Sequence, residues 1–160
     1  MVEVNNMDNG LRKRVSAVIV KNGKILLIRR VKPGEEYFII PGGGVDEGET
    51  QEEALIREVK EELTLDVVKH KFLFSIENIE VPQKITIHKG NRNEHFYLIE
   101  EHTGTPEIGG PEKERMNENN QYHIEWVEIK RMLQMKNIFP EAGINLLISY
   151  LTKHKQFLYT

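Results

Sequence analysis

Residues 41–65 read PGGGVDEGETQEEALIREVKEELTL: three consecutive glycines, then a run of acids spaced for a helix. Thr50, with Glu53 three residues on, is a helix-opening signature in which the hydroxyl caps a free N–H of the first turn. Leu55, Ile56, Val59 and Leu63 recur at helical spacing and form an apolar stripe. Glu58, Glu61 and Glu62 fall at i, i+3 and i+4, within an arc of about 100° on one face. That arc lies beside the stripe, so the acids stand at the rim where the helix meets the rest of the fold. On a bare helix Glu58 and Glu62 repel by roughly 0.2–0.5 kcal/mol. Two readings compete: an ordinary solvated face, or a site for a divalent cation such as Mg²⁺ or Mn²⁺, whose hard charge suits carboxylate oxygens.

The glycines bear on that choice. Glycine serves where a backbone bends sharply or comes close to another group, and Gly42, Gly43 and Gly44 in a row are more than a tight connection needs. A glycine turn leading into a carboxylate-lined helix makes a pocket of backbone dipoles beside a cation. Such a pocket suits the charged oxygens of a pyrophosphate.

Outside this stretch the chain reads as one α/β domain over 1–160, with residues 1–12 polar and expected to be loose. "RVSAVIVKNGKILLIRR" gives two aliphatic runs around Asn22-Gly23, a strong hairpin signal. "EYFII" is a third strand, stopped by Pro41 and the glycines. "LDVVKHKFLFSIENIEV" and "NEHFYLIEE" read as strands, and 103–121 as a long, polar, turn-rich surface loop. "YHIEWVEI" reads as the last strand, followed by a short helix at "EIKRMLQM" and a longer one at "EAGINLLISYL".

The composition closes off several classes of function. No cysteine means no disulfide and no thiolate chemistry. A formal net charge of −3 with dispersed basic residues gives no electrostatic case for nucleic acid. No apolar run approaches membrane-span length, and the N-terminus lacks a signal-peptide core. A soluble, cytoplasmic protein is expected.

The stretch Gly43 to Leu65 resembles the Nudix box. Gly43, Glu49, Arg57, Glu58, Val59, Glu61, Glu62 and Leu65 stand in register with that family's pattern, and Thr64 stands where the family has glycine. The family's glycine ends the helix in the left-handed region, which a β-branched residue disfavours, so the expected consequence is a strained or reshaped helix exit. The resemblance implies an α/β/α sandwich around a mixed sheet. It also implies Mg²⁺- or Mn²⁺-dependent hydrolysis of a nucleoside diphosphate linked to a further group, with a small nucleotide as substrate; homodimers are common in the family.

Carried over by position, Glu58 and Glu62 would be metal ligands, and Glu61 a further ligand or the base that activates water. Arg57 would orient a glutamate, with Glu49 bonded back to it, and an i, i+4 pair between Arg57 and Glu61 is an equal alternative. Gly43 and Gly44 would offer backbone to the metal or the phosphates. Nudix enzymes often recruit one more acid from a distant loop. Here Glu112 and Glu114 come first, with Glu118 and Glu125 behind them. Strand alternation sends Arg29 and Arg30 to opposite sides, so one of them, with Arg30 preferred, could face the cleft and bind phosphate. Tyr37, Phe38, Trp126 and His95 read as packing residues in strands. The rival to an enzyme is a catalytically silent domain that only binds nucleotide. Such domains usually lose box acids, which this chain keeps.

Overall fold

The computed structural model describes residues 9–82, 85, 86, 88 and 90–159. In chain order its elements are β1 (Arg12–Val18), β2 (Val20–Lys21), β3 (Lys24–Lys32), β4 (Glu35–Ile39), β5 (Gly42–Gly44), α1 (Gln51–Leu63), β6 (Asp66–Ile79) and β7 (Arg92–Thr103). They continue with α2 (Gly110–Arg115), β8 (Gln121–Glu128), α3 (Ile129–Met132), β9 (Ile138–Phe139), α4 (Glu141–Lys153) and α5 (Gln156–Tyr159). Asn22 and Gly23 take positive φ, 52° and 72°, in a two-residue turn that pairs Lys21 with Lys24. That geometry matches the twist of the flanking strands.

The strands form two mixed sheets. One has the order β5-β1-β7-β6, with β1 and β7 parallel; the other runs β2-β3-β4-β9, with β8 also paired to β3. Strand alternation splits the core in two. Val15, Ala17, Leu26, Ile28, Tyr97 and Ile99 join Leu55, Val59 and Leu63 of α1 on one side. Val18, Ile25, Leu27, Phe96 and Leu98 join Ile144, Leu147 and Leu151 of α4 on the other. Neighbouring residues of one strand thus feed opposite cores, and the result is the expected helix–sheet–helix sandwich.

Three local expectations need correcting. The three glycines are not a turn. They form β5, an extended strand antiparallel to β1, with Gly43 opposite Val15. The segment 103–121 is not featureless, because it carries α2 and docks on the end of α1: the Glu107 and Gly109 N–H groups donate to the carbonyls of Leu63 and Glu62 at 3.0 and 3.1 Å. Those carbonyls would otherwise be left bare at the helix end. β8 is not the last strand, since β9 follows and pairs in parallel with β4. At the N-terminus, residues 1–8 lie outside the described residues, while Asn9 exchanges side-chain hydrogen bonds with Asn93 at 3.1 and 2.8 Å.

Helix α1 opens as its sequence predicts, with Thr50 Oγ1 accepting from the Glu53 N–H at 3.1 Å. It ends at Thr64 in the left-handed region, φ 60° and ψ 24°, where the Thr64 N–H donates to the Lys60 carbonyl at 3.1 Å. The exit therefore keeps the glycine-type shape on a β-branched residue, a conformation that costs roughly 1–2 kcal/mol. Part of any gain on relieving it is offset by the freedom glycine adds to the unfolded chain. Thr64→Gly is expected to raise unfolding stability by about 0.5–1 kcal/mol, read from urea denaturation; a loss of stability would show that the threonine is accommodated without strain.

Candidate active site

Helix α1 lies against β5, and the missing side chains of the glycines are what permit the approach. A Cβ on Gly43 would collide with the Glu58 carboxylate, and one on Gly42, at φ 155°, with the Val15 carbonyl. Arg57 fastens this junction. Its Nε and Nη2 donate to the two Glu49 oxygens at 2.7 and 2.8 Å, and Nη2 donates to the Gly44 carbonyl at 3.0 Å. Its Nη1 donates to Glu58 Oε1 at 2.8 Å and, more weakly, to Glu61 Oε2 at 3.5 Å. Both expected partners of Arg57 are therefore engaged at once. The hydrogen bonds from Arg57 hold the Glu49 carboxyl down from 4.5 to about 2. The Glu49 bonds in turn raise Arg57 above its usual range.

The helix acids differ in setting. Glu62 is buried, only 8% exposed, and accepts from the Gly42 N–H. Burial raises its carboxyl to about 8; Glu112 and Glu58 push the same way, and Arg14 opposes them. Burial also raises Glu58, although Arg57 pulls it down. Glu61 is nearly half exposed.

Glu62 and Glu112 line a cleft of about 740 Å³, together with Gly42, Gly43 and Gly44. Glu114 is exposed and stands outside that lining, as does Glu118; Glu125 pairs instead with Arg29 at 3.2 Å. Arg30 faces the cleft, its guanidinium 3.7 Å from the Tyr122 ring centroid, and donates to Asn120 Oδ1 at 2.5 Å. The residues read as packing are buried or packed on the core: Tyr37 meets Phe139 edge-on, Phe38 and Trp126 pack in the cores, and His95 is buried on β7.

The sequence reading missed the opposite wall. Arg12, Arg14, Lys32, Arg92 and Arg115 also line the cleft, so with Arg30 six of the chain's 22 lysines and arginines gather there. The alternation that sends Val15 and Ala17 to the α1 core puts Arg12 and Arg14 on the other face of β1. "RKR" at 12–14 carried that signal as a pair at i, i+2.

Among the described residues, no three acidic or imidazole side chains are already drawn together around an ion position. The donor chemistry nonetheless fits a hard divalent cation. Glu62, Glu58 and Glu112 crowd like charge at a buried point, and a cation would relieve it.

The comparisons with known proteins agree with this geometry. The NUDIX domain model matches residues 10–145, and the chain belongs to the Nudix family. Hydrolases of that family generally use divalent metal ions. The ADP-ribose pyrophosphatase of Methanocaldococcus jannaschii is 48% identical over 63 residues, covering 39% of this chain and 37% of that protein. The 8-oxo-dGTP diphosphatase of Haemophilus influenzae is 37% identical over 98 residues, 58% of this chain and 66% of that one. The matches thus span between about a third and two thirds of these relatives. The solution structure of the E. coli ORF135 protein superposes with a TM-score of 0.66 at 25% identity, covering 91% of each chain. No described helix is long and apolar enough to cross a membrane.

Because Arg57 depresses Glu49 in the folded state, this pair stabilises the fold fully above the unfolded carboxyl value and loses that effect as pH falls towards about 2. The stability difference between the native chain and Glu49→Gln is therefore expected to be level at neutral pH and to shrink steadily below about pH 4.5. Thermal melts across that range check it; a difference that stays constant to pH 3 (a value inside that window, about one unit above the depressed carboxyl) removes Glu49 from the clamp.

Proposed function

We propose that this chain is a divalent-metal-dependent pyrophosphohydrolase acting on a small nucleotide. The observation that carries the reading is one cleft lined by the glycine strand, by the buried Glu62 and the half-buried Glu112, and by a set of arginines. A phosphoanhydride repels nucleophiles because it is anionic, so its hydrolysis depends on charge neutralisation and in-line positioning. Mg²⁺ or Mn²⁺, held by Glu58 and Glu62 with Glu61 or Glu112 completing the set, would supply part of that neutralisation.

The chain's own residues do the rest. Arg57 fixes Glu58 and leaves its other oxygen free. The Gly43 and Gly44 backbone can meet phosphate without a side chain intervening. Arg30 and its neighbours take charge on the phosphates, and Tyr122 and Phe139 offer apolar surface to a nucleobase. Water attacks phosphorus, the bridging P–O bond breaks, and the water's proton passes to a carboxylate. Glu112 lines the cleft beside Glu62, whereas Glu61 turns outward to Arg57, so Glu112 is the better placed acceptor. Glu114 has no place in this scheme. The cytoplasm as setting, and a homodimer, complete the reading on the family resemblance.

A release assay over ADP-ribose, nucleoside triphosphates, oxidised nucleotides and nucleotide sugars, with Mg²⁺ or Mn²⁺, tests the proposal. Glu62→Gln is expected to lower turnover about a hundredfold or more with no fall in melting temperature, because glutamine is a neutral isostere of a buried acid whose ionisation burial already disfavours. Unchanged turnover excludes Glu62 as an essential ligand. Saturable nucleotide binding without turnover in any condition would favour the silent binding domain.

A further inference from the structure

On the face of the first sheet that turns to the cleft, β1 and β7 run parallel with Arg12 opposite Arg92 and Arg14 opposite Glu94. Glu94 is wholly buried, and Arg14 and Arg92 are 8% and 7% exposed. Arg14 Nη1 donates to Ser16 Oγ at 2.8 Å and to Glu94 Oε2 at 3.3 Å, and its Nη2 donates to the Ile40 carbonyl at 3.1 Å. The Ser16 hydroxyl donates to the same Glu94 oxygen at 3.2 Å, and Arg92 Nη2 lies 2.5 Å from the other. One carboxylate thus grips two guanidinium groups from beneath. Both arginines line the cleft and Glu94 does not.

Arg12 stands beside them, its guanidinium against Gly44. Two buried cations, Arg14 and Arg92, share one buried anion, and the exposed Arg12 adds a third positive charge at their edge. Arg92 Nε is moreover buried with no hydrogen-bond partner. Burial holds Arg92 down to about 10 and lowers Arg12, with Arg14 adding repulsion to both. A spare buried donor and excess positive charge, opening on a cleft, make an anion site.

We propose that Arg12, Arg14 and Arg92 form a second phosphate subsite, with Glu94 as its positioning residue. Through this subsite the cleft prefers a substrate with three consecutive phosphates to one whose two phosphates join two other groups. The inference rests on the pyrophosphohydrolase reading above. Register supports the length: Arg14 pairs with Gly44, and Arg92 stands two strands from β5, about 10 Å away. A diphosphate seated on the glycine strand and the helix acids leaves Arg92 unmatched, whereas a third phosphate extends towards it.

Binding to the full chain in chelator separates the subsite from catalysis. By calorimetry, inorganic tripolyphosphate is expected to bind roughly tenfold more tightly than pyrophosphate. R12Q and R92Q should each bring the two ligands within about threefold. R29Q, whose guanidinium pairs with Glu125 outside the cleft, should keep the gap. In turnover, R12Q and E94Q should raise KM for a nucleoside triphosphate about tenfold with kcat little changed, and move KM for ADP-ribose less. E94D should recover part of the E94Q loss, as expected if the carboxylate acts by holding the arginines. Arg12 is exposed on its strand, so R12Q carries the test if E94Q fails to fold.

Equal affinity for the two inorganic phosphates, or a loss confined to kcat, overturns the subsite. Absence of all turnover with the tripolyphosphate preference intact strikes the hydrolase reading and leaves the subsite standing. A 5′-triphosphorylated oligonucleotide run beside the free nucleotide shows which one presents the triphosphate; a preference for ADP-ribose over both defeats the proposal.

Discussion

The site depends on the guanidinium of Arg57. It joins the loop before α1, through Glu49, to the glycine strand, through the Gly44 carbonyl, and to the helix acids, through Glu58 and Glu61. Planar, doubly bonded pairing of the Arg57–Glu49 kind fixes orientation as well as distance. The Arg57 side chain is 28% exposed, so solvent screens each bond and the energy per contact is modest. What the clamp supplies is geometry. Glu58 is held where Gly43 has no side chain, and on the proposed reading the same absence would let a phosphate reach the strand backbone. A lysine in this place could neutralise charge but could not span three separate acceptors in one plane.

Electrostatics explain why a chain of formal charge −3 can hold an anion. The cleft lining carries six lysine and arginine side chains, against the carboxylates of Glu62 and Glu112. Net charge describes the whole surface, while the potential inside a cleft depends on what lines it and how little water screens it. Most of the cations come from β1, β3 and β7, while the acids come from α1 and α2, with Arg115 of α2 adding a cation beside Glu112. Glu94 and Ser16 occupy the inner sides of Arg14 and leave its neighbours open to the cleft.

Local chemistry made part of this legible in the sequence. Asn22-Gly23 states its own turn, Thr50 its own cap, and Leu55, Val59 and Leu63 their own buried stripe, although Ile56, read with them, is exposed. Tertiary contact decided the rest. Gly42–Gly44 has poor intrinsic strand preference and is a strand because β1 offers it a ladder and α1 crowds it. β9 spans only Ile138–Phe139 and exists as a partner for β4. Only the Arg12/Arg14 pair of the arginine cluster was legible locally, because Arg92 joins it through a parallel pairing across half the chain. Glu112 was one acid among several in a polar loop; the hydrogen bonds that pin this segment to the end of α1 are what bring it to Glu62.

Glu62 bears on the choice between a hydrolase and a passive binding module. A carboxylate that is buried, raised to about 8 and crowded by Glu58 and Glu112 lowers the stability of the chain that carries it. Natural proteins retain such groups where function needs them, at a cost in stability. A domain that only holds nucleotide gains nothing from acids facing an anionic ligand, since they repel its phosphates; its arginines alone would bind more tightly. The acids make sense once a divalent cation stands between them and the phosphate. On the proposed reading, that arrangement would neutralise the phosphoanhydride and leave a carboxylate at hand to take a proton from water. The same logic gives the cationic wall its own task. On the proposed reading, arginines would hold the part of the substrate that does not react, and the carboxylates would stand at the bond that does.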